Sequence, residues 1–435
     1  MKIAIITAFF PPNNMGGAEI SSYYLAKILA RKGNEVHIIA PDFGKKRECM
    51  EFKKENSDLH LHYIQYPLPI KSDIIKMRLL TYNPLYILLL FIKIVNIVKK
   101  YDIDIIHAHQ NEDNIPSWLA SRITRRPIVL NLYDIRFVCE LSLCLDNGIV
   151  ELNCGIINYL KCSWTLSKIS NIKIIHFLGS LYLYLYMCFN KIVLKKADRI
   201  IAISKFLKKL ATGSGFDNNN IKVIYQITNF ISDIEDANLT FGNHKVISFA
   251  GRLDPKKGVH ILIEAFKEVR KEIPSKLVII GDTNNEYSSN LKLLVNKLDL
   301  EEDCIFMGKL HNKQVLGIFK NSDLVVVPSI WPEPQGRTVL EALHVGTPVV
   351  ASDIGGIPEL IDKSDGLLVR PNDKNALKDG ILKILNCEIK TAPSSIFKKY
   401  LDTDFIYSQT IEVYKEAISQ YKGSKHVVKY MYSFV

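Results

Sequence analysis

PSIWPEPQGRTVLEALHVGTPVVASDIGGIPE, residues Pro328 to Glu359, decides how this chain is read. It follows the apolar run Leu324–Val327 and contains a second one at Pro348–Ala351. Between them, Gly336–Val345 carries apolar residues at helical spacing behind a loop rich in Pro and Gly. Strand, loop, helix, strand is the unit that builds a parallel sheet. Glu333 falls on the loop and Glu341 one or two turns into the helix, with seven residues between them. A helix start offers unpaired N–H groups and a positive dipole end, which suits a diphosphate. Two carboxylates flanking it can accept hydrogen bonds from ligand hydroxyls. On spacing alone, however, any charged helix surface supplies such a pair.

Outward from this stretch the same grammar repeats. Lys245–Ala250 reads as a strand, Gly251–Gly258 as a loop and Val259–Lys271 as an amphipathic helix. Strands are expected again at Lys276–Ile280 and Cys304–Met307. The first half opens in the same way, with strand Lys2–Phe9, a turn-rich loop Pro11–Gly17, helix Ala18–Lys32 stopping at Gly33, and strand Glu35–Ala40. Further strands are expected at Ile103–Ala108, Ile128–Leu132, Arg199–Ile203 and Val223–Tyr225, with Ser204 as an N-cap. The fold class is therefore α/β, with two doubly wound domains of Rossmann type. The first spans about 1–230 and the second about 244–400, joined near Asn229–Asn243. A last helix within 403–421 is expected to pack back across the hinge. Ligands of such sheets bind beyond the carboxyl ends of the strands, so the expected site is a cleft where the domains face each other.

Composition sets the outer bounds. The 435 residues exceed one ordinary core, and 48% hydrophobic with 23% charged is globular composition. The net charge of +11 is concentrated in residues 1–240, with 30 Lys and Arg against 21 Asp and Glu. No basic run is interleaved with aromatics in a nucleic-acid motif, so nucleic acid is not an expected partner. Eight cysteines and no leader-like start point to a cytoplasmic, reducing setting. No segment reads as a spanning helix, but Leu85–Ile92 and Ile174–Asn190 are apolar runs. Lys191, Lys195, Lys196, Lys205, Lys208 and Lys209 follow the second. Buried helices explain these runs; so does a surface resting on an anionic membrane.

The segment around Glu333 and Glu341 closely resembles the E-x7-E segment of the family 4 glycosyltransferases, which have the GT-B fold. The resemblance covers most of the chain and keeps the family's order. Gly16-Gly17-Ala18-Glu19 matches its first glycine loop, Asp104–His109 its His-x-His strand, and Gly251-Arg252 with Lys257-Gly258 its G-R…K-G loop. Gly281-Asp282, Gly308, Glu333-x-x-Gly336…Glu341-Ala342, Gly346-x-Pro348-Val349 and Gly355-Gly356-x-Pro358-Glu359 complete the series.

What the resemblance implies is a retaining, metal-independent hexosyltransferase. It would move a sugar from a UDP- or GDP-sugar to a glycan or lipid-linked acceptor, in polysaccharide or surface-glycan assembly. Glu333 would contact the transferred sugar and Glu341 the ribose. Gly336 and the amides of Arg337, Thr338, Val339 and Leu340 would face the phosphates. Arg252 and Lys257 would neutralise the leaving diphosphate, since leaving-group charge is the main electrostatic demand of the reaction. Gly16, Gly17, Gly251, Gly281 and Asp282 would line the donor, and His109 would support positive charge at the anomeric carbon. No carboxylate is placed for a double displacement, so the family's front-face reaction is adopted. No cofactor or metal is called for, and Asp102-x-Asp104 is read as a solvated strand start.

Three departures stand out: Tyr133-Asp134 in place of His-Asp, Asn229-Phe230 in place of Asn-Gly, and Cys139, Cys144, Cys154 and Cys162. The alternatives are a nucleotide-sugar epimerase of the same fold and a non-catalytic partner of another transferase.

Overall fold

The computed structural model describes residues 1–13, 17–43, 45–65, 82–138, 145–146, 149–150, 155–166, 173–226, 234–235, 241–362, 364–386 and 402–432. The chain divides into two compact units, Met1–Ile227 with Asp402–Val435, and Thr228–Leu401.

The first unit is built on seven parallel strands: β1 (Lys2–Ile6), β2 (Glu35–Pro41), β3 (His60–Ile64), β4 (Ile105–Ala108), β5 (Ile128–Leu132), β8 (Arg199–Ala202) and β9 (Ile221–Val223). Their order is β3-β2-β1-β4-β5-β8-β9, and a separate hairpin pairs β6 (Leu145–Asp146) with β7 (Ile149–Val150). Every residue of IIHA in β4 and IVLNL in β5 is buried, as expected where helices cover both faces of a parallel sheet. The helices are α1 (Gly17–Arg31), α2 (Lys46–Glu55), α3 (Pro84–Tyr101), α4 (Asn114–Thr124), α5 (Ile156–Leu166), α6 (Lys173–Lys195) and α7 (Lys205–Gly213). Ser204 caps α7, its hydroxyl accepting from Leu207 N at 3.1 Å.

The second unit repeats the order. Its strands are β10 (Lys245–Ala250), β11 (Ser275–Ile280), β12 (Cys304–Gly308), β13 (Leu324–Val327), β14 (Val349–Ser352) and β15 (Gly366–Val369), arranged β12-β11-β10-β13-β14-β15. The helices are α8 (Val259–Glu272), α9 (Glu286–Lys297), α10 (Asn312–Lys320), α11 (Arg337–His344) and α12 (Lys374–Leu385). In both units the strand order reverses beside the first strand, between β1 and β4 and between β10 and β13. Crevices for ligands form at such points.

The final helix, α13 (Thr403–Tyr432), belongs to the first unit, where Ile406, Val413, Tyr414 and Ala417 join Ile3, Leu25, Ile105 and Ile201 in one core.

Some expectations need correction. The last strand of the first sheet is Ile221–Val223 rather than 223–225, because a turn over Asn218–Asn220, capped by Asp217, starts it earlier. Strands β3 and β15 were not anticipated. HLHYI in β3 alternates histidines with apolar residues on an edge, and GLLV in β15 is four residues long. The Phe177–Lys195 stretch of α6, with mean hydropathy 1.4, is long and apolar enough to cross a membrane by length and composition, contrary to the sequence reading. It is nevertheless fixed to its unit: Leu183, Tyr186, Met187, Val193 and Leu194 are buried, and Asn190 Nδ2 donates to Asn111 Oδ1 at 2.6 Å.

Candidate functional site

A polar constellation of the second unit lies at its sheet reversal. Loop Gly251–Gly258 leaves β10 and ends in a short turn, Pro255–Lys257, whose first amides are held by Asp254. Loop Pro328–Gly336 leaves β13. The two are stitched together, Ile330 N donating to Lys256 O at 3.0 Å. Lys256 also lies 3.8 Å above the Trp331 ring. Gly258, at φ 69°, has no room for a side chain: a Cβ there would stand 2.0 Å from Pro328 O.

This stitching delivers Lys257 onto Glu333. The ammonium donates to Glu333 Oε1 at 2.6 Å, and Ser329 Oγ donates to the same oxygen at 2.8 Å. Neither charge is fully exposed, so the pair is stronger than a surface ion pair. Glu333 is positioned from below by the double glycine. Gly356 N donates to Glu333 O at 2.7 Å, and a Cβ on Gly355 (φ 65°) would lie 2.4 Å from that oxygen. Eight residues on, Glu341 Oε1 accepts from Arg337 Nε at 2.9 Å and from Asn312 Nδ2 at 3.0 Å.

Between the two glutamates α11 begins. Gly336 is its N-cap at φ 95°, a backbone that favours glycine. Val339 N donates back to Gly336 O at 3.0 Å, so that amide is already used within the first turn, and its side chain is fully buried. Thr338 Oγ1 is 3.5 Å from Ala250 O, which ties the helix start to the end of β10. The Arg252 guanidinium is exposed and makes no ion pair with a described residue. Gly251 and Gly281 interlock, a Cβ on Gly281 falling 2.3 Å from Gly251 O. Asp282 is exposed and closes its own turn by accepting from Asn284 N.

The first unit holds a second constellation at its own reversal. Gly16 lies outside the described residues, and Gly17 is the first residue of α1. His109 follows β4, its N–H donating to Ile6 O, and is 1% exposed. Its ring belongs to a buried relay. Tyr414 Oη meets His107 Nδ1 at 2.7 Å, and His107 Nε2 meets Asn131 Oδ1 at 3.0 Å. Asn131 Nδ2 then approaches His109 Nδ1 at 3.4 Å, which Tyr133 Oη also reaches at 2.9 Å. An amide oxygen only accepts and an amide nitrogen only donates, so the relay sets tautomers: His107 carries its proton on Nε2 and His109 on Nε2. Burial first, and His107 second, drive the pKa of His109 well below the usual histidine range. His109 is thus a neutral imidazole whose Nε2 has no partner among the described residues.

The sequence reading passed over the residues that position these groups: Ser329 and Asn312 in the second unit, Asn131 and Tyr414 in the first. It also passed over Glu112-Asp113. Asp113 Oδ2 accepts from Ala8 N at 2.9 Å and Gln110 N at 3.2 Å, tying the loop after β1 to the loop after β4. Arg136 bridges the buried Glu112 to Asp134. The Tyr133-Asp134 departure therefore places one residue on His109 and the other on Arg136. Asp104 accepts from Lys2 N and Asp102 pairs with Arg126, both structural contacts. Of the four cysteines, Cys139, Cys144 and Cys154 lie outside the described residues, as do Asn229 and Phe230.

Two family models match the chain almost end to end: Glycosyltransferase Family 4 over residues 15–229 and glycosyl transferases group 1 over residues 231–399. The chain belongs to the family 4 glycosyltransferases. It is 26% identical over 448 residues to an uncharacterized glycosyltransferase of Methanocaldococcus jannaschii, covering 96% of this chain and 99% of that one. It is 22% identical to the N-acetyl-alpha-D-glucosaminyl L-malate synthase of Bacillus anthracis, covering 98% of this chain and all (100%) of that one. Among solved structures it is similar to Anabaena HepE in complex with UDP and glucose. That match has TM-score 0.66 and 23% identity, and covers 95% of this chain and 98% of that one. Likeness at that identity shows the fold, and this transferase has the GT-B fold.

Proposed function

We propose that this transferase is a retaining, metal-independent hexosyltransferase using a UDP- or GDP-sugar. The observation that carries the reading is the second unit's pair of held carboxylates, Lys257–Glu333–Ser329 and Arg337–Glu341–Asn312, on either side of the helix start at Gly336. In this reading Lys257 turns from Glu333 to the diphosphate when donor binds, and Arg252 joins it. That frees Glu333 Oε1 for sugar hydroxyls, and Glu341 takes the ribose. Charge building on the departing diphosphate meets fixed cations and a helix dipole. His109, neutral and held by Asn131 and Tyr133, is assigned to the developing charge at the anomeric carbon. Retention follows a front-face path in which the departing phosphate oxygen takes the acceptor's proton. The UDP complex of HepE favours a uridine donor over a guanosine one.

The acceptor is proposed to be a glycan or lipid-linked glycan, in polysaccharide or surface-glycan assembly on the cytoplasmic face of a membrane. The support is an exposed apolar set on helices of the first unit: Leu85, Leu88 and Ile92 on α3, Ile123 on α4, and Leu178 and Leu185 on α6. Sedimentation with anionic vesicles is expected to carry the protein down, and Leu178→Glu with Leu185→Glu to leave it in solution.

Thermal shift with UDP- and GDP-sugars, in EDTA throughout, tests the donor site. One donor, well above its dissociation constant, should stabilise the wild type by a few kcal/mol, on the order of what saturating ligand supplies, and should not stabilise Glu333→Ala or Lys257→Ala. Absence of any shift at millimolar donor would overturn the reading in favour of a non-catalytic partner.

A further inference from the structure

Away from the strand ends that carry His109, the edge of the first sheet gathers four side chains of metal-ligating type. Glu35 and His37 lie on β2, and His60 and His62 on β3. Parallel pairing sets His37 against His60 and Ile39 against His62. Because side chains alternate along a strand, residues 35 and 37 share a face, as do 60 and 62. The rings confirm the gathering: His37 stacks on His60 with centroids 4.6 Å apart, and on His62 at 5.2 Å and 2°.

Glu35 Oε1 is 2.9 Å from His37 Nε2. One ligand atom each from Glu35, His37 and His60 lies within 4.8 Å of the others. Ligand atoms around tetrahedral zinc stand about 3.3 Å apart, given metal–nitrogen distances of about 2.0–2.1 Å. The Glu35–His37 edge is already shorter than that, and His60, exposed, is free to rotate inward.

A second tier backs the first. His37 Nδ1 lies 3.0 Å from His62 Nε2. Metal-bound imidazoles almost always engage their other nitrogen in a hydrogen bond that fixes the ring. His37 is fully buried, so its ring is held in place by the groups packed on it. Lys2 competes for Glu35 from 3.6 Å, on Oε2, the oxygen that His37 does not use, while its ammonium also donates to Tyr101 O at 3.1 Å, a partner it keeps when an ion takes Glu35.

We propose that Glu35, His37 and His60 bind one divalent transition-metal ion, zinc by preference, as a clip fastening the edge strand β3 to β2. Two imidazoles and a carboxylate are the donor set of zinc, cobalt and nickel rather than of magnesium or calcium. His62 is the positioning residue: with the ion on His37 Nε2, the single proton of the neutral His37 ring sits on Nδ1 and is donated to His62 Nε2. Strand β3 is the end of the sheet, and among the described residues only β2 pairs it. An ion that binds only the folded strands adds its binding free energy to folding. This clip is separate from sugar transfer and is independent of the donor reading.

The test is zinc binding by the full chain after dialysis against chelator, measured by competition with a chromophoric chelator and by the visible spectrum of the cobalt(II) form. Expected are one equivalent of zinc, a cobalt spectrum without thiolate charge-transfer bands, and a rise in melting temperature with zinc. Affinity should fall at least about 10-fold in His60→Ala and Glu35→Gln, and about 10-fold in His62→Ala, the range typical of lost ligands and their partners. His60 is exposed, so His60→Ala keeps its fold, which circular dichroism checks. The proposal is overturned if the wild type takes up no stoichiometric zinc, or if His60→Ala binds as well as wild type. It is equally overturned if thiolate bands appear and binding is lost in Cys139→Ser with Cys144→Ser, which would place the ion on the cysteines.

Discussion

Asn131 shows how much a single side chain can decide. Its oxygen takes the proton of His107 and its nitrogen offers one to His109, so its two ends fix both rings of the His-x-His strand. It is 5% exposed, and water cannot substitute for it readily. Asn131→Leu leaves His107 Nε2–H without an acceptor in a dry site, at a cost of about 1–3 kcal/mol. Asn131→Asp keeps that acceptor but offers His109 no donor, so the two variants separate the halves of the relay. The expectation is a lower urea midpoint for Asn131→Leu. Asn131→Asp should have a smaller stability loss but a reduced kcat at unchanged donor KM. Equal kcat in Asn131→Asp and wild type would show that transfer does not need the Asn131 donor, the Tyr133 hydroxyl alone holding the His109 tautomer.

At the scale of elements, glycines place the carboxylates. Gly355 adopts a left-handed backbone directly beneath Glu333, and a Cβ there meets Glu333 N at 2.6 Å as well as its carbonyl. Gly355→Ala must therefore push the Glu333 loop off the Lys257 ammonium or unseat the turn after β14. Donor affinity is expected to drop at least about 10-fold while the second unit stays folded, since a shift of an ångström in a site can cost two orders of magnitude. Isothermal titration with the donor found by thermal shift measures it; an unchanged affinity would mean that Glu333 tolerates displacement. Ser204 offers a contrast at a helix start. Ser204→Ala removes the cap of α7 and should cost about 1 kcal/mol of stability with donor affinity untouched.

Much at this scale was legible. KIAII, KVISFA and LVVV are apolar runs of strand length followed by loops that contain Pro and Gly, and runs so short are read as strands rather than helices. The alternation that marks a half-exposed strand was hidden in β3 because its second face carries histidines. The Glu333 and Glu341 pair was legible only through its context, since spacing alone does not separate a site from a charged surface. What held those glutamates was not legible: Asn312 reaches Glu341 from another helix, and Ser329 is an ordinary loop serine until the chain folds. Local pattern encodes the elements, whereas side-chain partners depend on the crossover order of the sheet.

For the molecule as a whole, the longest-range consequence runs through Tyr414, which touches His107 from 307 positions away. The last helix thereby completes the core around His107, and burial pushes the His107 pKa down to about 4. The sign of the effect follows from which state takes the proton. In the unfolded chain His107 protonates near its ordinary 6.5, whereas the folded protein resists until about 4. Below pH 6.5 the unfolded state therefore binds the extra proton, and stability falls with pH until the folded group also titrates. The loss is about 1.4 kcal/mol for each pH unit, or about 2 kcal/mol between pH 6.5 and pH 5. His62, pushed down to about 3 by burial and then by His37, acts in the same direction. Asp113 acts oppositely, because burial and Glu112 raise its pKa and the folded state takes that proton first. The wild-type slope is thus a sum, and the contribution of His107 appears in a difference. Urea unfolding of wild type and His107→Gln at pH 7 and pH 5 should show a stability drop about 2 kcal/mol smaller in the variant. Parallel slopes would mean that the strand end and the last helix open together in acid, letting water reach His107 before the chain unfolds.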